Sequence, residues 1–126
     1  MLYTIKDLRD DISGVNIRVR IISKEDPRKI RTEDGIEHFV IEALVGDRTG
    51  TMILSLWDEK IKSVDEGDLV DITMGYTNQF KGRLRLNISR YGGLEKVEDL
   101  DFPTSKEIIN RKKRKKQRQK AVFNKS

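Results

Sequence analysis

The stretch GDRTGTMILSLW (46–57), followed after a charged insert by GDLVDITMGYTNQFKGRLRLNI (67–88), decides how the rest of the chain is read. Apolar and polar residues alternate through it with the period of two that sends successive side chains to opposite faces of a strand. Met52, Leu54 and Leu56 fall on one face, and Ile53, Ser55 and Trp57 on the other. Leu84, Leu86 and Ile88 alternate in the same way with Arg83, Arg85 and Asn87. Trp57, Tyr76 and Phe80 sit near the ends of these runs, beside basic, glycine-bearing turns. Rings so placed have two uses. They close a hydrophobic core, or they stack on unpaired bases, each base contributing roughly 1–3 kcal/mol.

Working outward, MLYTIKDLRDDISG (1–14) carries Leu2, Ile5, Leu8 and Ile12 at near-helical spacing, which predicts a short helix or turn over one end of the body. VNIRVRIIS (15–23) is a strand with Val15, Ile17, Val19 and Ile21 inward and a partly basic outer face. KEDPRKIRTEDG (24–35) contains Pro27 and a turn signal, so it reads as a long hairpin connection carrying Arg28, Lys29 and Arg31. A second strand follows, with Phe39, Ile41, Ala43 and Val45 on its inner face, and the tight turn at Gly46–Gly50 leads into the third. In the charged insert, Ile61 and Val64 predict a short helix capped by Asp58 that plugs the sheet. LVDITMGY (69–76) is the fourth strand, TNQFKG (77–82) a loop, and RLRLNISR (83–90) the fifth.

Five strands with a helix between the third and fourth match the order of an OB-fold. This small all-β Greek-key barrel binds oligonucleotides through strands two and three and through the loops joining strands one to two and four to five. The same alternation is compatible with a small barrel of the SH3-like type.

The 126 residues, 36% of them apolar, suffice for one small core. We expect one domain over residues 1–103 and a basic, flexible tail over 104–126. With no cysteine and only His38, the chain lacks the donors for a thiolate metal site, a Cys nucleophile or a His cluster. No run approaches the roughly 20 apolar residues that cross a bilayer, and the N-terminus has no signal-peptide pattern, which predicts a soluble, cytoplasmic, nucleoid-associated protein. Residues 106–126 hold ten Lys or Arg against one Glu, whereas residues 1–105 hold 16 basic against 20 acidic. The body therefore meets a polyanion through a local surface, while Arg111, Lys112, Lys113, Arg114, Lys115 and Lys116 of the tail supply long-range attraction.

An enzyme is not indicated. Asp47, Asp58, Asp65, Glu66 and Asp68 read as caps and turn formers and not as a metal-binding or acid–base cluster. No glycine-rich phosphate loop is present. No catalytic residue, metal or cofactor is expected.

The segments VGDRTGTMILSLW (45–57), EGDLVDI (66–72), GYTNQFKG (75–82) and LRLN (84–87) resemble, in sequence and spacing, the single-OB single-stranded DNA-binding proteins of crenarchaeal type and their short human homologues. The likeness spans about residues 7–103. It implies that Trp57, Tyr76 and Phe80 stack on successive bases; a fourth ring that some relatives carry corresponds here to Asn87. Relatives often end in a Gly- and Arg-rich segment, some with an acidic tip that recruits partners. The tail here has almost no Gly or acid, so that recruitment is not carried over.

The expected function is non-specific coating of single-stranded DNA in replication, recombination or repair, by a protein acting as a monomer. Ser55 shares the face of Trp57, and Lys81, Arg83 and Arg85, with Arg28, Lys29 and Arg31 on the facing loop, lie near phosphates. Replication or repair proteins are possible partners. Two alternatives stay open: an RNA-binding OB module acting as a chaperone or ribosome- or tRNA-associated factor, and a scaffold subunit of a larger complex.

Overall fold

The computed structural model describes residues 2–123; the backbone of the helical end is followed to Phe123, and side chains are described as far as Arg114. The last residues of the expected tail, 124–126, lie outside the described part. The elements in chain order are a 3₁₀ turn (Ile5–Asp7), β1 (Val15–Lys24), β2 (Arg28–Arg31), β3 (Glu37–Asp47), β4 (Gly50–Trp57), α1 (Glu59–Lys62), β5 (Leu69–Phe80), β6 (Arg83–Val97) and α2 (Ser105–Phe123).

The sheet runs β1-β5-β6-β4-β3-β2, and a second pairing of β1 with β3 closes it into a barrel. β4 and β6 pair in parallel through Ile53↔Arg85 and Leu54↔Leu86, whereas the other ladders are antiparallel. Alternation explains the core. Val15, Ile17, Val19 and Ile21 of β1 meet Ile41, Ala43 and Val45 of β3, Leu54 and Leu56 of β4, Val70 and Ile72 of β5 and Leu86 of β6, all buried. Ile61 and Val64 close one end, as the insert's spacing predicts, and Leu8 joins the cluster from the N-terminal segment.

The structure departs from the sequence reading in five places. The described residues form six strands, because the connection at 24–35 forms β2, which pairs Arg28–Arg31 with Val40–Glu37. The supposed loop 77–82 is a two-residue hairpin. β5 continues to Phe80, paired with Arg83, and Lys81 (φ 53°) and Gly82 (φ 76°) make the left-handed turn that matches strand twist. Asp58 does not cap α1: it has φ 50°, and its carboxylate turns back to β3. Phe39 is half-exposed and not inward, since it lies at the end of β3 beyond the barrel wall, opposite Lys29.

The fifth departure concerns the segment expected as a flexible tail, where α2 is helical from Ser105. Its start is a capping box: Glu107 N–H donates to Thr104 Oγ1 at 3.2 Å, and Thr104 N–H and Oγ1–H donate to Glu107 Oε1. Ile108, 4% exposed, seats on Gly46, where any Cβ would lie 2.9 Å from Ile108 Cγ2. Arg20 donates to the carbonyls of Phe102 and Pro103 and lies over the Phe102 ring, and Arg18 pairs with Asp71 and Asp99. The basic outer face of β1 is thus occupied by the segment leading into α2.

Carboxylates pin several of these junctions. Asp68 is held below the usual carboxylate range by the Asp65 N–H and by Lys96, and Asp7 by hydrogen bonds from Thr4. A depressed carboxylate stabilises the fold above its unfolded value, near 3.8, and that contribution is lost as pH falls through the lower folded value. Thermal midpoints measured across pH are therefore expected to be flat above about pH 5 and to fall steadily below about pH 4.

Candidate nucleic-acid interface

One outer face of the barrel stays open. Across β2, β3, β4, β6 and β5 it carries Arg28; His38, Val40, Glu42 and Leu44; Ile53, Ser55 and Trp57; Arg83, Arg85 and Asn87; and Tyr76, Asn78 and Phe80. Alternation places them there, opposite the buried aliphatic set. Trp57 is 40% exposed, Tyr76 38% and Phe80 48%. None of the three rings is needed to fill the core.

Trp57 and Tyr76 flank a cleft of about 610 Å³, lined also by His38, Ser55, Lys60, Ile88, Ser89 and Arg90. Ser55 is buried at its floor. The indole is held from beside. Trp57 pairs with Val40, and the His38 ring stands edge-on to it at 5.9 Å and 75°. His38 is in turn fixed by Asp58, whose Oδ2 is 2.6 Å from His38 Nδ1 and whose Oδ1 accepts the Phe39 N–H. The His38 hydrogen bond, followed by that from Phe39, holds Asp58 below the usual carboxylate range. An ionised carboxylate only accepts, so the proton on that contact belongs to Nδ1. Sequence reading missed this support: it weighs His38 only as a lone donor without a cluster, and reads Asp58 as a cap. The joint Asp58–His38–Trp57 contact depends on the β3–β4 register, which no local pattern reveals. It also missed Lys60, which lies in the charged insert, and Arg90, the last residue of the run read as the fifth strand.

The expected cations divide by face. Arg28 lies on the open face with Val40, whereas Lys29 and Arg31 alternate to the other side, where both pair with Glu37 at 3.4 and 3.2 Å. Lys81 and Arg83 are exposed at the β5–β6 hairpin. Lys81 reaches over the Phe80 ring at 5.5 Å and Arg85 at 4.5 Å, contacts that fix the ring's position. Arg85 is not a free cation. Its guanidinium is 16% exposed and 2.5 Å from Glu42, which also faces Arg28 at 3.7 Å. Asn87 donates to Asn78 Oδ1 and is only 7% exposed, so it supports the sheet surface and presents no ring.

Glu42 therefore neutralises two cations at the centre of the face. Glu42→Gln is expected to lower stability by about 1–3 kcal/mol, since a charge-assisted bond to a half-buried guanidinium is lost. It is also expected to steepen the dependence of log K on log salt by about 0.7–1.4, because one or two cations become available to phosphates of a single strand. Urea melts and titrations at several salt concentrations measure the two effects.

Of the tail cations, Arg111, Lys112, Lys113 and Arg114 lie on α2, with Lys112 Nζ 3.3 Å from Thr51 Oγ1. Lys115 and Lys116 belong to the same helix, and their side chains lie outside the described part. Asp47, weighed above among the acids, is committed to the β3–β4 turn. Its carboxylate accepts from the backbone N–H groups of Ile5, Thr49 and Gly50 and from the Thr49 hydroxyl. Among the described residues, no group of three or more His, Asp or Glu could hold a metal ion, and no helix is long and apolar enough to cross a membrane.

Comparison with known proteins agrees with this geometry. Residues 8–96 match the family model described as single-stranded DNA binding protein Ssb-like, OB fold. The chain is 33% identical over 104 residues to the single-stranded DNA binding protein Ssb of Saccharolobus solfataricus, covering 82% of this chain and 70% of that protein. It is 31% identical over 110 residues to replication factor A of Methanothermobacter thermautotrophicus, covering 81% of this chain but only 14% of that much longer protein. Among solved structures, the second OB-fold domain of replication protein A from Methanococcus maripaludis superposes with a TM-score of 0.66 at 21% identity, over 79% of this chain and 97% of that domain. A closed barrel with the right strand order, an open ring-bearing face and a family match over most of the barrel lead to one assignment: the chain belongs to the Ssb-like family of OB-fold single-stranded DNA binding proteins.

Proposed function

We propose that the protein binds single-stranded DNA without sequence preference and protects it during replication, recombination or repair. The observation that carries this reading is the open face itself, where Trp57, Tyr76 and Phe80 present exposed rings beside Ser55, Lys81, Arg83 and Arg28. Every base has a π-face, so stacking on rings tolerates any sequence. Cations at the rim take the phosphates, and Arg85 acts by seating Phe80 more than by direct charge. The names of the relatives support the same ligand. In this reading residues 1–103 are the binding unit, the protein acts as a monomer in the cytoplasm on exposed DNA, its role is binding and not catalysis, and replication or repair proteins are its partners.

Titration with homopolymers tests the proposal. Affinities for oligo-dT, oligo-dC and oligo-dA of equal length are expected to agree within about tenfold and to fall as salt rises. A preference of several hundredfold for one base would contradict it. Tighter binding of matched RNA than of DNA would move the assignment to an RNA module, and negligible affinity for either would leave a scaffold.

A further inference from the structure

The open face does not end at Trp57. Along β4 the row Trp57, Ser55, Ile53, Thr51 runs about 20 Å at roughly 3.3 Å per residue, and at its far end Leu44, Ile53, Arg83 and Lys112 line a second depression of about 360 Å³. Lys112 belongs to α2 and meets Thr51. The base of α2 is anchored there by Ile108 on Gly46, by the Thr104–Glu107 box and by a bond from Arg48 to the Asp101 carbonyl. A nucleic-acid strand leaving the groove at Thr51 therefore meets a fixed helix.

The charge on that helix has an uncommon distribution. Lys or Arg occupies positions 111–116, 118 and 120 of the sequence, and at about 100° per residue the four at 111–114 already surround the axis, with no gap wider than about 100°. Side chains three and four apart are neighbours, so like charges here repel by about 0.2–0.5 kcal/mol per pair. Among the described residues no carboxylate lies within 4.0 Å of Arg111, Lys112, Lys113 or Arg114. A single strand passing along the helix could answer charge on one side only. A duplex answers it on two, because an α-helix about 10–12 Å across fits the B-DNA major groove, about 12 Å wide, between two phosphate walls. The major groove of A-form RNA is too narrow and deep to admit it.

We infer that the ligand is a junction, with the single strand in the aromatic groove and the adjoining B-form duplex held in its major groove by α2. This rests on the groove reading above. The helix contributes contacts to phosphates and not to base edges, so duplex sequence is immaterial.

The full chain is titrated with a dT oligonucleotide extended by a DNA hairpin, and with an all-single-stranded oligonucleotide of equal phosphate count. The hairpin-extended ligand is expected to bind at least tenfold more tightly. Replacing Arg111, Lys112, Lys113 and Arg114 together by Gln, a good helix former, is expected to bring the ratio of the two affinities to about one. An RNA hairpin in place of the DNA hairpin is expected to give no advantage. Equal wild-type affinity for the two DNA ligands overturns the proposal, as does a ratio that survives the fourfold substitution. Failure of the groove reading looks different: Trp57→Ala then leaves both affinities untouched, whereas a sound groove gives a fall in both with the ratio standing.

Discussion

Trp57→Ala is expected to weaken binding to oligo-dT by about 1–3 kcal/mol, which is roughly 5- to 150-fold in dissociation constant. The indole is 40% exposed at the mouth of the cleft, on the strand position paired with Val40 and with the His38 ring edge-on beside it. Its removal takes away a stacking surface and opens no cavity in the barrel, so the thermal midpoint is expected to fall by no more than a few degrees. Trp57→Phe keeps a smaller ring and is expected to recover most of the affinity. A variant that unfolds, or one that binds as well as wild type, would show that the ring closes the core and does not serve the ligand. Fluorescence anisotropy of labelled oligo-dT, with circular dichroism melts of the same preparations, separates these outcomes.

Leu86→Ala is expected to do the reverse. Leu86 is fully buried on β6, opposite Leu54 in the parallel ladder that closes the barrel. Truncating a buried leucine costs its transfer free energy and leaves a cavity, together about 2–5 kcal/mol. For a chain of this length that lowers the midpoint by on the order of 10 °C. At temperatures where the variant is folded, its affinity is expected to match wild type, because the open face is carried by the alternate residues Arg85 and Asn87. A loss of affinity without a loss of stability would mean that β6 has been assigned the wrong register.

These two variants mark what the sequence made legible. Strict alternation in TMILSLW and RLRLNI separates core from surface, because one residue of slip would turn every side chain over. The position of Trp57 follows from that count alone. Arg85 was read correctly as outward-facing, yet its tie to Glu42 joins residues 43 positions apart on β6 and β3 and depends on how the barrel closes. The division of Arg28 from Lys29 and Arg31 was hidden for a related reason. Only pairing with β3 turns that connection into a strand, and only a strand sorts its cations by parity. In the last segment, the basic composition leads to the expectation of a flexible tail, while the Thr104–Glu107 box and the single docked Ile108 start the helix from its other end. Such anchors are single residues, and composition averages over them.

Trp57 is the sole tryptophan, and it stands where the ligand is placed. Its intrinsic fluorescence during titration with unlabelled oligo-dT is the most direct measurement of the account. Saturable quenching that reverses on adding salt is the result expected from a base laid against the indole. An emission unchanged at saturating oligonucleotide, with binding confirmed by an independent method, would contradict the claim that this face holds the bases.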